Sequence, residues 1–341
     1  MTVEQTEQEP EHGWWPHRCD YCSGRIARTG PEGAGRPPTY CSTRCQNDAK
    51  AARARDRRSP GLLGAVARAE ELLDRLEQVG DGIRGELSEL GSPAGLAAQI
   101  AEAEATIRDE RASEVDVARA ALAQQVAYRA LGARPEWDEA VLAALPAELH
   151  ETVRRHVEAR RELRAMHTRL SPTLPAWEIV PPAPYDELLS HYREAEAEFG
   201  IPWPYLAAIN LVETGTGRIR GTSVAGAQGP MQFMPATWEA YGAGGDVHDH
   251  RDAILGAARY LAANNGAQDI DHALFRYNRS QRYVRAIKLY AALIAEHPAT
   301  WRGLYHWGVW YLSDAGEVYL PVGYHATEPI PAAEHLASLG R

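Results

Sequence analysis

The chain has 341 residues, a net charge of -10 and 45% hydrophobic residues. That length argues for two or three domains with a sizeable core, and the acidic balance argues against non-specific attraction of the whole chain to nucleic acid. No apolar run reaches the roughly 18 residues of a transmembrane helix, and residues 1–10 lack the basic start and apolar stretch of a secretory signal. We therefore expect synthesis in the cytoplasm without a signal peptide.

A cysteine module follows a polar start that we expect to be disordered over residues 1–12. The chain's four cysteines all lie in this module, which spans residues 13–58 with its basic tail, as two short pairs: Cys19, Cys22, Cys41 and Cys45. Four thiolates at this spacing suit tetrahedral zinc, and the segment resembles short zinc-ribbon modules common in actinobacterial proteins. Two disulfides formed after export, or free buried thiols, are the alternatives. A cytoplasmic start favours structural zinc.

The basic tail of this module runs from Lys50 to Arg58. Such a run can contact phosphate groups of nucleic acid or of an anionic wall polymer. It is more often the solvated start of a helix. We therefore expect a structural or protein-docking role here, and nucleic acid is not an expected partner.

Residues 61–169 carry helical periodicity. Apolar residues alternate in steps of three and four around Gly80, at Leu62, Val66, Ala69, Leu73, Leu76, Ile83, Leu87 and Leu90. This is a heptad seam, and further amphipathic stretches rich in Glu and Arg follow the break at residues 91–93. The pattern predicts a helical hairpin or coiled coil. We interpret it as a spacer that could also support self-association.

The rest of the chain divides by composition. Five prolines between Pro172 and Pro184 indicate a linker over residues 170–184, and residues 185–297 read as short helices with Gly-rich connections. Residues 298–341 contain two aromatic, strand-like runs joined at residues 313–316, which predicts a β-hairpin and tail. The expected fold class is therefore mainly α with a small C-terminal β-hairpin.

Glu213 is the first candidate for chemistry. A short helix is expected from about Pro204 to Glu213, and Glu213 falls on the same face as Leu206 and Ile209. Burial and the negative end of the helix dipole both raise the pKa of a carboxyl group, as a general acid requires. The competing interpretation is a solvated helix end that pairs with Arg218 or Arg220. The helix alone does not separate the two.

Two later blocks have side chains that suit a sugar ligand. Residues 226–238 combine glycines with the amide of Gln232 and the flat faces of Phe233 and Trp238. Residues 273–280 place the phenol of Tyr277 beside the amide of Asn278. A phenol near a buried carboxyl group can orient its proton and hold its charge.

These segments together resemble the lytic transglycosylase family, whose SLT-type domain shares its fold with goose-type lysozyme. The resemblance covers about residues 186–295 and is carried by three blocks in order: INLVET at 209–214, GPMQFMPATW at 229–238 and FRYN at 275–278. One such block would be a weak signal, whereas three at plausible spacing are strong. The resemblance implies a lysozyme-like α-helical catalytic domain at 185–297.

The resemblance also implies roles for individual residues. Glu213 would cleave the bond between N-acetylmuramic acid and N-acetylglucosamine in peptidoglycan, first as acid and then as base, leaving a 1,6-anhydro product. Gln232 and Asn278 would bind the glycan, and Tyr277 would hold Glu213. Thr214, in place of the family's serine, and Phe233 complete the expected substrate-binding set. No catalytic cofactor is implied.

Two alternatives remain at this stage. The first is a muramidase of the same fold, in which water replaces the 6-hydroxyl group. The second is a cytoplasmic zinc-containing nucleic-acid or protein-binding factor with a non-catalytic glycan-binding domain. The expected partner, peptidoglycan, lies outside the membrane. A chain without an export signal would reach it through a dedicated secretion or conjugation apparatus, with a phage particle or on lysis.

Overall fold

The structure is a computed structural model that describes residues 92–338 and two short strands, β1 (Trp14–Arg18) and β2 (Arg25–Ala27). These two strands pair antiparallel, with Trp14 opposite Ala27 and Arg18 opposite Arg25. They belong to a first unit, residues 1–78, and residues 92–338 belong to a second. The four cysteines expected to bind zinc, the basic tail, the predicted heptad seam and the polar start at 1–12 lie outside the described residues.

A group of helices opens the second unit: α1 (Pro93–Arg108), α2 (Glu114–Gly132), α3 (Asp138–Ala144) and α4 (His150–Met166). Serine side chains cap the N-termini of the first two helices: Ser92 Oγ accepts from the backbone N–H of Gly95, and Ser113 Oγ accepts from the backbone N–H of Asp116. Such caps satisfy N–H groups that a helix start leaves unpaired. Helices α1 and α2 pack against each other as a helical hairpin.

The remaining helices contain the expected catalytic region: α5 (Tyr185–Phe199), α6 (Trp203–Thr214), α7 (Pro235–Tyr241), α8 (His250–Ala263), α9 (Ile270–Tyr277), α10 (Gln281–Glu296) and α11 (Pro298–Tyr305). Helix α6 is the central one, since every side chain from Leu206 to Leu211 is buried. It packs against α5 and α10, and α8 packs against α5 and also contacts α6. The apolar character of α6 thus places its last turn inside the domain.

The first helix group shares its hydrophobic core with these helices. Helix α4 packs along α10, and buried residues of both groups belong to one cluster. Polar contacts reinforce the junction: Trp307 Nε1 donates to Gln124 Oε1 at 2.8 Å, and Gln125 exchanges two hydrogen bonds with the backbone of Gly308, each 2.9 Å long. Over residues 93–166, the expected spacer is therefore part of one packed body. Its apolar stripes are buried against the following helices.

The proline-rich segment is also built into the fold. Strand β3 (Thr173–Leu174) pairs with β8 (Ile330–Pro331), and β4 (Glu178–Ile179) pairs with β5 (Ile219–Arg220), both antiparallel. Leu174 and Ile179 are buried in a second, smaller hydrophobic cluster with residues of the C-terminal segment. The segment predicted as a linker at 170–184 thus holds the C-terminal strands against the turn that follows α6.

The C-terminal hairpin forms where the sequence predicts it. Strands β6 (Val309–Ser313) and β7 (Gly316–Leu320) pair antiparallel through a two-residue turn, and helix α12 (Ala332–Ser338) follows. The expected fold class, mainly α with a small β-hairpin, is confirmed for the described part of the chain. Within that part, no helix has the length and apolar character needed to cross a membrane.

Candidate active site

Glu213 lies in the last turn of α6, immediately before a tight left-handed turn. Pro202 precedes the helix and Pro204 is in its first turn, where proline is well tolerated. Gly215, Thr216 and Gly217 then have φ values of 59°, 65° and 80°, which end the helix. Glu213 is thereby placed near the negative end of the helix dipole, which disfavours an ionised carboxylate.

The carboxyl group of Glu213 receives a hydrogen bond from a tyrosine. The Tyr283 hydroxyl donates to Glu213 Oε1 at 2.7 Å. Burial raises the pKa of Glu213 from 4.5 to about 7, while the hydrogen bond from Tyr283 opposes part of that rise. Near neutral pH the group can therefore both give and take a proton, as acid–base catalysis requires.

The competing interpretation, an ion pair from Glu213 to Arg218 or Arg220, is not what the structure shows. Arg218 is buried and donates to the carbonyl oxygens of Gly215 and Tyr305, at 2.8 and 2.6 Å. It thereby stabilises the turn after Glu213 through the backbone. Arg220 reaches the carbonyl oxygen of His248 at 3.4 Å. No ion pair to Glu213 is present among residues 92–338, so no cation there lowers the pKa of its carboxyl group.

The phenol that contacts Glu213 differs from the expected one. The Tyr277 hydroxyl donates instead to the carbonyl oxygen of Met231 at 2.6 Å. Burial and the nearby charge of Glu213 raise the pKa of both Tyr277 and Tyr283 well above 10, so both stay protonated donors. Tyr283 lies on the buried face of α10, five positions after Asn278. That amphipathic position was the sequence signal available for it.

The loop before α7 has a constrained backbone. Gln228 and Phe233 exchange backbone hydrogen bonds of 2.9 and 2.8 Å, which closes the loop. Gly229 has φ of 72°, and a Cβ there would lie 1.8 Å from the carbonyl oxygen of Val247, so only glycine fits. Gln232 has φ of 52°, an uncommon conformation for a side-chain-bearing residue. Such outliers persist where surrounding structure enforces them, often at functional sites.

Thr214 attaches this loop to α6. Its hydroxyl donates to the carbonyl oxygen of Pro230 at 2.6 Å and accepts from the backbone of Gly217 at 3.0 Å. Asn210, held by Tyr192, donates to the same Pro230 oxygen at 2.8 Å. Thr214 has no exposed surface. The structure thus places it behind the site as a support, not in the substrate position that the sequence suggested.

A pocket of about 490 Å³ lies against the loop before α7 and helices α7, α8 and α9, and Glu213 is not among its lining residues. Its walls include three expected site residues, Gln232, Phe233 and Tyr277, together with Tyr241, Tyr260 and Asn264. Phe233 is only 3% exposed and packs edge-on against Trp238 and Tyr277, so it mainly supports the wall. Gln232 is half-buried and donates from Nε2 to the carbonyl oxygen of Gly229 at 3.0 Å.

Asn278 lies at the C-terminal end of α9. Its chain neighbours Tyr277 and Arg279 line the pocket, but Asn278 itself does not. Its backbone N–H donates to the carbonyl oxygen of Leu274 at 3.0 Å. Its half-buried side-chain amide has no hydrogen-bond partner within residues 92–338. No described residue therefore occupies this amide, and it is available to a ligand.

The other acidic residues near this region in sequence either form structural contacts of their own or are exposed. Asp249 caps α8 by accepting from Asp252, and Asp252 in turn accepts from the backbone of Asp246 at 2.9 Å. Glu239 is exposed on α7. Burial and Tyr283 alone account for the pKa of Glu213, with no contribution from a second carboxylate in the described residues. Those residues contain no cluster of three His, Cys, Asp or Glu side chains that could hold a metal ion.

One comparison with curated proteins gives a match. The chain is 32% identical over 123 residues to membrane-bound lytic murein transglycosylase F of Thiobacillus denitrificans (strain ATCC 25259 / T1). The match covers 34% of this chain and 26% of that relative, so the chain spans about a quarter of the relative's length. No family model matches the chain, and no solved structure does. The match supports a domain related to lytic transglycosylases.

Proposed function

We propose that the chain is a peptidoglycan lytic transglycosylase, with Glu213 as its single catalytic acid and base. The observation that carries the proposal is the contact between Glu213 and Tyr283. It combines a pKa of about 7 with a fixed hydrogen bond and no neighbouring carboxylate in the described residues. Ordinary glycosidases use two carboxylates. A site with one is suited to a reaction in which the substrate supplies its own nucleophile.

The chemistry uses Glu213 twice. Its carboxyl proton passes to the glycosidic oxygen as the bond from that oxygen to the anomeric carbon of N-acetylmuramic acid breaks. The muramoyl 6-hydroxyl oxygen then bonds to the anomeric carbon, and its proton passes to the Glu213 carboxylate. The enzyme is restored, no water is consumed and the product carries a 1,6-anhydro ring. An intramolecular nucleophile has a high effective concentration, which compensates for the missing second acid.

The neighbouring residues have supporting roles in this proposal. Tyr283 orients the Glu213 carboxyl group and shares its charge when the proton has left. Tyr277 holds the backbone at Met231 and so fixes the neighbouring Gln232, which lines the pocket. Gln232 and Asn278 would then bind hydroxyl or acetamido groups of the glycan. Aromatic side chains in the pocket wall offer flat apolar faces to the sugar rings.

Product analysis tests the proposal. Purified murein is digested with the wild-type chain and with Glu213→Gln, and the released fragments are weighed by mass spectrometry. We expect anhydro-ended fragments from the wild type and a loss of rate of at least about 10²-fold in the variant. Reducing ends without anhydro sugar would assign the hydrolytic, muramidase reaction. Binding of glycan without any cleavage would favour the non-catalytic alternative.

The zinc module and the place of action complete the proposal. We expect Cys19, Cys22, Cys41 and Cys45 to hold one structural zinc ion, which metal analysis of the purified chain and of a Cys→Ser variant would test. Peptidoglycan places the reaction at the cell wall, reached by a dedicated export apparatus, with a phage particle or on lysis. Fractionation of the source cells or particles distinguishes these routes. Sedimentation of the purified chain tests self-association.

A further inference from the structure

Two arginines stand on the wall of the 490 Å³ pocket that Gln232 and Tyr277 also line. Arg276 lies in the last turn of α9, and Arg279 follows in the connection to α10. Both residues are exposed. They flank the Tyr277–Asn278 pair, so two positive charges face the same half-enclosed space as the candidate glycan contacts.

Residues of the pocket wall hold Arg276. The Tyr260 hydroxyl donates to the carbonyl oxygen of Arg276 at 2.7 Å. Arg276 Nε contacts Asn264 Oδ1 at 3.4 Å, a long contact that leaves its terminal nitrogens available. Burial raises the pKa of the Tyr260 phenol, and the charges of both arginines oppose that rise. Both guanidinium groups therefore act on the same phenol in the pocket wall.

The positive charge of the pair is uncompensated in the described part of the chain. Within residues 92–338 neither Arg276 nor Arg279 forms an ion pair. A second pair at the same spacing behaves differently, because Arg282 and Arg285 both bind Glu162, at 3.1 and 2.9 Å. The pocket pair thus has donors to offer an incoming anion. Guanidinium groups bind carboxylates through two parallel hydrogen bonds, which suits them to this ligand class.

We propose that Arg276 and Arg279 form a carboxylate-binding subsite that selects glycan strands whose peptide stems carry free carboxylates. This inference rests on the proposed function, since it concerns the substrate of the same groove. The sugar rings present hydroxyl and acetamido groups, to which the side-chain amides of Gln232 and Asn278 can hydrogen-bond. The negative charges of the polymer lie on its peptide stems, and a pocket with two unpaired cations beside the sugar contacts is suited to them.

Binding measurements test this subsite separately from catalysis. The Glu213→Gln variant is titrated calorimetrically with three murein tetrasaccharides: one with free stem carboxylates, one with those carboxylates amidated, and one with the stems removed. We expect the free carboxylate form to bind about tenfold more tightly than the amidated form, as for a charge-assisted hydrogen bond. Adding Arg276→Gln and Arg279→Gln should remove this difference. Adding Arg282→Gln and Arg285→Gln instead removes the same charge at the same spacing. This control should preserve the affinity difference between the free and amidated forms.

Three outcomes would overturn the subsite. Equal affinity for the free and amidated forms in the parent variant would do so, as would a preference that survives the Arg276 and Arg279 substitutions. Tightest binding of the stripped strand would assign the pocket to the sugar's own lactyl carboxylate and exclude the stem. The proposed function fails differently, when the wild-type chain releases no anhydro product although the binding preference is present.

Discussion

The phenol of Tyr283 donates a 2.7 Å hydrogen bond to Glu213 Oε1, which joins the first turn of α10 to the last turn of α6. The bond favours the ionised carboxylate, whereas burial favours the protonated acid, and burial dominates. A pKa of about 7 results. The balance between these two effects sets the pH at which Glu213 can act.

Removing the Tyr283 hydroxyl shifts this balance. In Tyr283→Phe, the pKa of Glu213 should rise further, because only the opposing effect is lost. The alkaline limb of the pH–rate profile, where activity falls as the acid ionises, should move to higher pH while the maximal rate drops about tenfold or more. The measurement is kcat/KM between pH 5 and 9.

Tyr290→Phe is the matched control for that variant. Tyr290 is buried on the same helix and packs against His156 and Trp307, away from Glu213. Its loss should leave the pH profile unchanged. An unshifted profile in Tyr283→Phe would show that the hydrogen bond does not tune Glu213.

The raised pKa of Glu213 also makes folding stability depend on pH. The folded state retains a proton that the unfolded state loses above pH 4.5, so the stabilisation is full below pH 4.5 and lost as pH rises to about 7. Glu213→Gln should lack this dependence and be more stable than the wild type at pH 8, by on the order of 3 kcal/mol. Denaturant unfolding of both chains at pH 4.5 and pH 8 measures the difference.

Glu239→Gln provides the comparison for that experiment, since it replaces an exposed carboxylate on α7. Its stability relative to the wild type should hardly change between the two pH values. Parallel pH dependence in the wild type and Glu213→Gln would mean that Glu213 is not protonated preferentially in the fold.

Thr214 offers a test of the support behind the site. Thr214→Val keeps the shape but removes the hydroxyl that binds the Pro230 carbonyl oxygen and the Gly217 N–H. We expect a loss of about 1–3 kcal/mol in unfolding free energy, because a buried N–H group loses its acceptor. Thr214→Ser keeps the hydroxyl and should retain most of the wild-type unfolding free energy. Thermal melting compares the three, and equal stability of the Val variant would contradict the support role.

The shared core predicts that residues 170–341 do not fold alone. Without residues 93–166, α10 would expose the face that α4 covers, and Trp307 and Gly308 would lose Gln124 and Gln125 as partners. We expect an aggregating product without a cooperative thermal transition. Circular dichroism and size-exclusion chromatography of this shorter chain are the measurements. A monomer that unfolds cooperatively would show that the first helices are a separable spacer after all.

Sequence patterns located the elements more readily than their partners. The spacing of Leu206, Ile209 and Glu213 placed a carboxyl group on a buried helix face, and aromatic alternation located the β6–β7 hairpin. Periodicity indicates that a face is buried but not what covers it, so residues 93–166 looked like a spacer. Prolines at 170–184 suggested a linker because their strand partners, such as Ile219, lie far along the chain.

The same limit applies inside the site. Adjacency to Asn278 favoured Tyr277 as the partner of Glu213, yet the hydroxyl of Tyr277 points to Met231. Which of two nearby phenols meets a carboxyl group depends on how α10 packs on α6, and sequence order carries little information on that packing. Likewise, Thr214 follows Glu213 by one residue, and that single step turns its side chain from the site into the interior.

The most direct measurement is the mass of the fragments released from purified murein by the wild-type chain, with Glu213→Gln as the inactive reference. A single acid–base residue with a substrate nucleophile predicts fragments ending in 1,6-anhydro-N-acetylmuramic acid, each lighter by one water than the hydrolytic product, and essentially none from Glu213→Gln. Fragments ending in reducing sugar, or equal release by Glu213→Gln, would contradict it.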